Sequence, residues 1–307
     1  ELNIIIEKIK DKADFSLNSK EIASGIDLLQ DFVNKKHKEV LGNVEVGDGI
    51  FNLSNEEYEK LNLNSNEKEL IKPFYTTGEL GSFYGNSKNS YWIIYTNSSF
   101  KNKEKIIPYP NVKQHLDKFL QVFTSVNKPY GLHRSRNEHY FKGEKIFSLR
   151  KCSVRPRFTY TDFDAYVNRT FMVIKTDRIN QRFLTGLLNS NLIAFWLKYK
   201  GKMQGSNYQI DKNPLLNLPL INPDKEVQVK ISELVTQIIE NNQKKIDYTK
   251  LLEKSKAENN FDREIRLSTA LEEIEANIEK AERNINEEVY KLYNIGFSEA
   301  TIIEQNI

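Results

Sequence analysis

The sequence contains one cysteine, Cys152, and no long apolar run among its 307 residues. A lone cysteine excludes a disulfide framework and a cysteine-based zinc site, and it is typical of a reducing compartment. No stretch approaches the roughly 18 to 20 apolar residues that cross a bilayer, and the first ten residues lack a signal-peptide pattern. We therefore expect a cytoplasmic protein with no membrane partner. Because the chain begins at Glu1 rather than at methionine, we also expect it to be a piece of a longer polypeptide.

The common catalytic and nucleotide-binding motifs are missing as well. There is no Gly-x-Gly-x-x-Gly, no Gly-Lys-Ser/Thr and no Gly-x-Ser-x-Gly. His133 and His139 lie among arginines, and imidazoles in such surroundings are poor metal ligands. Asp162 and Asp164 could hold Mg²⁺ through their oxygens, but a pair that stabilises a turn is the stronger interpretation. We expect no cofactor and no metal in this chain.

Basic residues are concentrated in the middle third of the chain. Residues 100–202 contain 21 Lys/Arg and 7 Asp/Glu, whereas the formal net charge of the whole chain is only +3. The density is highest over residues 128–158, the basic block, where histidine, tyrosine and phenylalanine are interleaved. Like charges repel, so such a block favours a polyanionic partner, and this mixture of side chains is typical of nucleic-acid contact. A solvated basic face is the alternative interpretation.

A second candidate segment follows directly. Residues 201–209 (GKMQGSNYQ) place two glycines around Lys202 and Gln204, and both lie just beyond Lys200. Glycines allow a backbone to approach phosphate closely, and Gln or Asn can pair with adenine in the major groove. We interpret the segment as a functional surface loop, with Arg134, Arg136, Gln204 and Asn207 as candidate base contacts and the lysines and arginines of the block as phosphate contacts.

The complete set of predicted DNA-binding residues combines the block and the loop: His133, Arg134, Arg136, Lys142, Arg150, Lys151, Arg155, Arg157, Lys200, Lys202, Gln204, Ser206, Asn207 and Tyr208. Within it we predict that Lys142, Arg150, Lys151, Arg155 and Arg157 are exposed and form one continuous positive face.

Hydrophobic periodicity predicts an α+β chain in three parts. Residues 1–41 are expected to hold a linking helix over 19–41, because apolar residues recur there at helical spacing. Residues 42–222 are expected to form a mixed or antiparallel sheet, with strands at 70–75, 91–96, 145–149, 157–160 and 170–175 and helices at 111–123 and 179–201. Residues 223–307 are expected to form a long antiparallel helical hairpin that resembles a coiled coil.

Several short motifs together resemble one family. They are residues 49–57 (GIFNLSNEE), 70–75 (LIKPFY), 91–95 (YWIIY), 109–112 (YPNV) with Leu116, 144–147 (EKIF), 187–192 (LLNSNL), 209–210 (QI), 218–221 (LPLI), 285–293 (INEEVYKLY) and 302–304 (IIE). From about Ser24 to the C-terminus the chain resembles the target-recognition (specificity) region of TaqI-like adenine methyltransferases and type IIG restriction–modification enzymes. Type I specificity subunits share much of the pattern.

The resemblance implies that the chain selects a duplex DNA sequence for a catalytic domain or subunit that lies upstream. Those methyltransferases hold the target amino group with an Asn/Asp-Pro-Pro-Tyr/Phe motif, and none of the 8 prolines here are adjacent. We therefore expect binding without catalysis, and the resemblance assigns S-adenosylmethionine and any Mg²⁺ to the parent enzyme. Two alternatives of another class stay open: a metal-dependent nuclease built on Glu144, Asp162 and Asp164, and a non-catalytic protein that acts through its helical hairpin.

Overall fold

A five-stranded mixed sheet lies at the centre of the chain. The computed structural model describes residues 1–307. The strand order is β1-β9-β6-β8-β4, antiparallel throughout except for the parallel pair β4 and β8. The strands are β1 (Ile22–Ser24), β2 (Asn52–Ser54), β3 (Ile71–Phe74), β4 (Phe83–Tyr84), β5 (Tyr91–Ile94), β6 (Lys145–Leu149), β7 (Lys151–Cys152), β8 (Phe158–Thr161), β9 (Phe171–Ile174), β10 (Lys202–Gln204) and β11 (Asn207–Gln209).

The helices cover the sheet and continue beyond it. They are α1 (Leu2–Lys12), α2 (Lys35–Leu41), α3 (Asn55–Lys60), α4 (Ser65–Lys68), α5 (Pro110–Asp117), α6 (Gln181–Leu188), α7 (Asn191–Lys200), α8 (Lys212–Leu216), α9 (Lys225–Ala257), α10 (Phe261–Leu292) and α11 (Phe297–Gln305). Short 3₁₀ turns occupy Ser19–Glu21, Ser98–Lys101, Lys103–Ile106, Leu120–Val122 and Glu138–Phe141. None of the helices combines the length and apolar character that a bilayer crossing requires.

Both faces of the central sheet are buried, which explains the continuous apolar character of its strands. Along β6, Ile146 packs into a core shared with α1, α6, α7 and the C-terminal helices, whereas Phe147 packs into a second core. The same alternation separates Met172 from Val173 along β9. The sheet thus lies between two hydrophobic cores.

The second core is closed by a small sheet of order β2-β5-β3. The aromatic and β-branched strand β5 pairs on both sides and is the central strand of this sheet. The helix expected over 111–123 is shorter and ends at Asp117. Glu67, which is fully buried, accepts backbone hydrogen bonds from Asn111 at 2.5 Å and Val112 at 3.2 Å, and so binds the start of this helix.

The prediction of a linking helix over residues 19–41 is wrong. Within this range only Lys35–Leu41 is α-helical, as α2, while Ser19–Glu21 form a 3₁₀ turn and residues 22–24 form β1 and pair with β9. A side chain at Gly25 would place its Cβ 2.0 Å from the Asn168 carbonyl oxygen, so the chain approaches the sheet too closely for any other residue. The helix nearest the N-terminus is α1, and its buried face consists of Ile5, Ile6 and Ile9. Strand pairing therefore overrode local helical periodicity.

The predicted helix over 179–201 is two helices, because Ser190 caps α7 and ends the run after α6. Helix α6 packs closely on α9 at Gly186, where a Cβ would lie 2.7 Å from Ile231. This contact attaches the C-terminal helices to the sheet domain. The α+β fold class is confirmed.

Helices α9 and α10 form the predicted hairpin around a turn at residues 258–260. Lys230 bonds Glu288 at 2.9 Å and Lys245 bonds Glu275 at 2.8 Å, and paired positions that run in opposite directions define an antiparallel arrangement. Ile238 and Ile274 of the hairpin are buried, Leu234 and Ile278 pack at the edge of the core, and Leu271 is half-buried.

Candidate nucleic-acid interface

A third sheet, of order β10-β11-β7, joins the glycine-flanked segment to the basic block. Lys151 lies opposite Gln209, which lies opposite Lys202, and Gln204 lies opposite Asn207. Side chains in register on neighbouring strands share one face of a sheet. Five polar side chains therefore project from the same surface, which we call the polar face: Lys151, Lys202, Gln204, Asn207 and Gln209. Three of them are exposed and the two on the middle strand are half-buried.

The opposite face of this small sheet is part of the core. Cys152, Met203 and Tyr208 alternate with the polar residues, and Tyr208 is only 3% exposed. Its side chain packs among apolar neighbours. A DNA contact by Tyr208, as predicted, requires a surface position, whereas the sheet turns this side chain inward. The segment is a hairpin rather than a loop, and the period of two in its sequence was the signal for this.

A tight turn presents the end of the polar face. Gly205 has a φ of +61° with no atom close to where a Cβ would be, so its role is conformational. Ser206 is exposed beside it. Lys200, also exposed, ends helix α7 directly before β10. These two predicted residues therefore lie at the two ends of β10.

Asp211 connects the polar face to a group of arginines. Its carboxylate accepts hydrogen bonds from Gln209 Nε2 at 3.1 Å and from Arg150 Nη2 at 2.5 Å and Nε at 2.9 Å. Arg150 also donates to the carbonyl of Arg169 at 3.1 Å. Arg150 is consequently half-buried and paired, which differs from the predicted free and exposed position. Sequence reasoning missed Asp211 because an acidic residue was not expected in a basic surface.

Beside Arg150 lies a cleft of about 460 Å³ between β1 and the Glu138–Phe141 turn, and we call it the arginine cleft. Arg136 and Arg150 both line it, with Ser24 and Tyr140 on its walls. Arg134 is exposed nearby, and its backbone pairs with that of Asp27 at 3.0 and 3.1 Å. Arg136 and Arg150, which are separated in sequence, thus meet at one cleft, with Arg134 close to Arg136.

The remaining cations of the basic block do not join this surface. Lys142 is exposed but lies 3.6 Å from Glu138, at the other end of β6. Arg155 is exposed overall and donates to Asn189 O at 2.9 Å and Asn191 Oδ1 at 2.6 Å, at the start of α7. Arg157 is half-buried against the carbonyl of Leu80. The prediction that all five residues form one continuous exposed face is therefore wrong, because Arg150 and Arg157 are half-buried and Lys142 and Arg155 lie near other elements than Lys151 does.

Lys145 contributes no surface charge at all. Its side chain is fully buried, and Nζ donates to Gly143 O at 2.7 Å and Phe163 O at 2.6 Å. Burial, reinforced by the nearby Lys175 ammonium, lowers the pKa of Lys145 to about 7. His133 is half-buried, and its Nδ1 accepts from Val126 N at 3.4 Å. Both side chains serve the fold in this structure.

The carboxylates considered for a nuclease are engaged separately. Asp164 accepts from Gly143 N at 2.9 Å, Glu144 from the Tyr160 hydroxyl at 2.7 Å, and Asp162 lies 3.7 Å from Arg182. Over residues 1–307 no group of three or more histidine, cysteine or acidic side chains is arranged to hold a metal ion. Asp164 thus stabilises the turn at Gly143 before β6, and Asp162 lies near Arg182, so the two do not act as the predicted pair in one turn.

Comparison with known proteins agrees with the fold. Over 222 residues the sequence is 25% identical to the type II methyltransferase M.HindII of Haemophilus influenzae (strain ATCC 51907 / DSM 11121 / KW20 / Rd), and the match covers 64% of this chain and 42% of that protein. The type IIL restriction–modification enzyme MmeI, solved in complex with DNA, matches with a TM-score of 0.60 and 13% identity over 96% of this chain and 35% of that chain. The chain thus spans about two fifths of the curated relative and about one third of MmeI.

A family model, the TaqI-like C-terminal specificity domain, matches residues 75–220. The matched range contains the central strands β6, β8 and β9, the polar face, and Arg134, Arg136 and Arg150. Residues 75–220 of this chain are therefore similar to a TaqI-like C-terminal specificity domain.

Proposed function

We propose that this chain selects a short duplex DNA sequence for a restriction–modification adenine methyltransferase whose catalytic domain lies outside these residues. The observation that carries the proposal is the polar face, where two cations flank amides that project together from one small sheet. Amide side chains recognise base edges and cations hold the phosphates on either side. M.HindII is by name a methyltransferase, and MmeI was solved with DNA, which supports the same assignment.

In this proposal residues 42–222, joined by strand β1, form the recognition unit. Residues 223–307 form a rigid attachment that holds the unit against its catalytic partner. S-adenosylmethionine is bound by the partner, which also flips and methylates the target adenine. The parent could also carry an endonuclease. A type I specificity subunit, in which similar helices separate two recognition units, is the nearest alternative within the family.

Selection from a random duplex library followed by competition binding tests the proposal. We expect the chain to enrich one short sequence and to bind it more tightly than unrelated DNA, with an affinity that falls steeply as salt rises because bound phosphates release counterions. Gln204→Ala and Asn207→Ala should each lower the preference for that sequence by about 1–3 kcal/mol. Lys151→Ala should weaken binding to all sequences alike. Gln237→Ala, on an exposed position of α9, is the matched control and should leave both quantities unchanged.

Two results would contradict the proposal. One is the absence of any enriched sequence, or a preference that survives both amide substitutions. The other is Mg²⁺-dependent cleavage or methyl transfer by the chain alone, which would favour the complete-enzyme alternative.

A further inference from the structure

We infer that the arginine cleft binds a single DNA backbone phosphate through Arg136 and Arg150. The inference rests on the proposed function and goes beyond it. It changes the role of Arg136 from a base contact, as the sequence suggested, to a phosphate ligand. The inference also divides the interface into two parts. The arginine cleft fixes the position of the DNA backbone, and the polar face contacts the base edges.

Contacts within the protein orient the Arg136 guanidinium but leave some of its N–H groups without an acceptor. Its Nε donates to the Gly25 carbonyl at 3.1 Å, and its two Nη atoms have no acceptor in the protein. The cleft leaves space next to them. A planar guanidinium fixed at Nε presents its remaining N–H groups as a fork, which matches two oxygens of a phosphate.

The charges around the cleft favour an anion. Asp27 is 3.5 Å from Arg169, and Asp211 pairs with Arg150, so neither carboxylate forms a hydrogen bond or ion pair with Arg136. Lys212 adds a further cation to the lining. Burial, and then the neighbouring Arg134, lower the pKa of the Arg136 guanidinium; Asp27 opposes this shift and Arg150 adds to it. Repulsion among these cations is thus only partly offset in the free chain, and a bound phosphate would reduce it further.

The backbone at Arg136 is held in an unusual conformation. Its φ is +66°, a left-handed region that costs a residue with a side chain about 1 kcal/mol or more. The Tyr95 hydroxyl donates to the carbonyl of Ser135 at 3.1 Å and to that of Arg136 at 3.2 Å, which fixes the turn. Backbone strain of this kind is frequent at ligand-binding positions, and here the strained conformation directs the Arg136 side chain into the cleft.

A phosphate fits the recess better than a base does. Arg136 is half-buried and its Nε is anchored on the backbone after β1, so it cannot extend into a groove. A phosphate oxygen projects from the DNA and can enter a cleft, whereas a base edge lies at the floor of a groove and must be reached by an extended side chain. The exposed Arg134 keeps the reach that a base contact requires.

Salt-dependent binding of the full chain to the selected duplex and to an unrelated duplex tests the inference. Arg136→Gln should weaken binding to both duplexes by about tenfold at low salt and reduce the slope of log affinity against log salt by about one. Arg136→Lys, which keeps the charge but loses the fork, should keep the slope. Arg283→Gln removes the same charge from the exposed face of α10 and should change nothing.

A duplex series with one neutral methylphosphonate linkage identifies the contact. We expect one linkage whose neutralisation weakens the wild-type chain but not Arg136→Gln. If Arg136→Gln instead removes the preference at one base pair and leaves the slope of log affinity against log salt unchanged, the inference of a phosphate site is wrong, but the proposed function is retained. If the wild-type chain binds neither duplex, the proposed function itself fails, and the inference fails with it.

Discussion

The two ends of the basic region carry similar formal charge and use it differently. At the cleft end, Arg134, Arg136 and Lys151 present their cations to solvent or to an open cleft. At the other end, which we call the amine end, Lys145 is buried and Lys175 donates to the carbonyl of Glu144 at 3.1 Å. The sequence shows one block, but the fold makes one end an interface and the other a set of internal bonds.

The difference teaches that local composition does not determine surface charge. A lysine next to main-chain carbonyls stabilises the protein, and its charge is no longer available to a ligand. An arginine with one nitrogen hydrogen-bonded to the backbone keeps its charge, and the bond fixes the orientation of its remaining N–H groups.

The largest expected effect is a charge reversal at the cleft end. The double variant Arg134→Glu/Lys151→Glu should lower DNA affinity at least about 100-fold at low salt, because it replaces two exposed cations of the proposed interface with charges that repel DNA. Lys142→Glu at the amine end should change affinity less than about threefold. Fluorescence anisotropy with a labelled duplex measures both. Equal losses at the two ends would show that the basic block acts as one surface.

Lys145→Met should change how stability depends on pH. The folded-state pKa of about 7 lies below the ordinary value of 10.5, so the unfolded chain binds more protons between these values. The stability of the wild type should therefore rise relative to Lys145→Met as pH increases from about 7 to 9.5, with a slope of up to about 1.4 kcal/mol per pH unit. Urea denaturation at several pH values measures this, with Lys142→Met as the exposed control. A constant difference across that range would mean that Lys145 is charged in the folded state.

Asp211→Asn should have an intermediate effect on binding. Removal of this carboxylate frees Arg150 and adds one positive charge to the interface. We expect affinity for unrelated DNA to rise by about threefold at low salt, and the preference for the selected sequence to fall, because Arg150 and Gln209 lose their common anchor. Competition binding measures the ratio. A preserved ratio would show that Asp211 does not orient the two side chains.

The smallest effect is expected for Glu21→Gln, in the pocket next to the amine end. Burial of Glu21 opposes its ionisation, but hydrogen bonds from Arg178, the Asn18 backbone and Thr176 outweigh it and lower the pKa to about 2. The stabilisation is therefore complete above pH 4.5 and is lost as pH falls toward 2. The difference in melting temperature between wild type and variant should be small and should shrink in acid, with Glu39→Gln on α2 as the control. A difference that grows in acid would contradict the depressed pKa.

Much of the fold could be predicted from local sequence. Strands β5, β6 and β9 are short apolar and β-branched segments, and α9 and α10 have long amphipathic periodicity between clear breaks. The candidate site was found in part, because lysine, glutamine and asparagine between two glycines are unusual enough to stand out. Tyr208 was misplaced because the segment was taken as a loop, and a loop has no inner face.

The sequence by itself determined the α+β class, the helical hairpin, the middle third as the charged region and the absence of local catalytic motifs. Tertiary structure decided which charges matter. Residues 22–24 became a strand only because β9 offered an unpaired edge, and Arg136 and Arg150 meet only because β1, β6 and β11 converge. The physical reason is that hydrogen-bond partners and burial come from residues distant in the chain, and these, rather than residue type, decide whether a cation is available to a ligand.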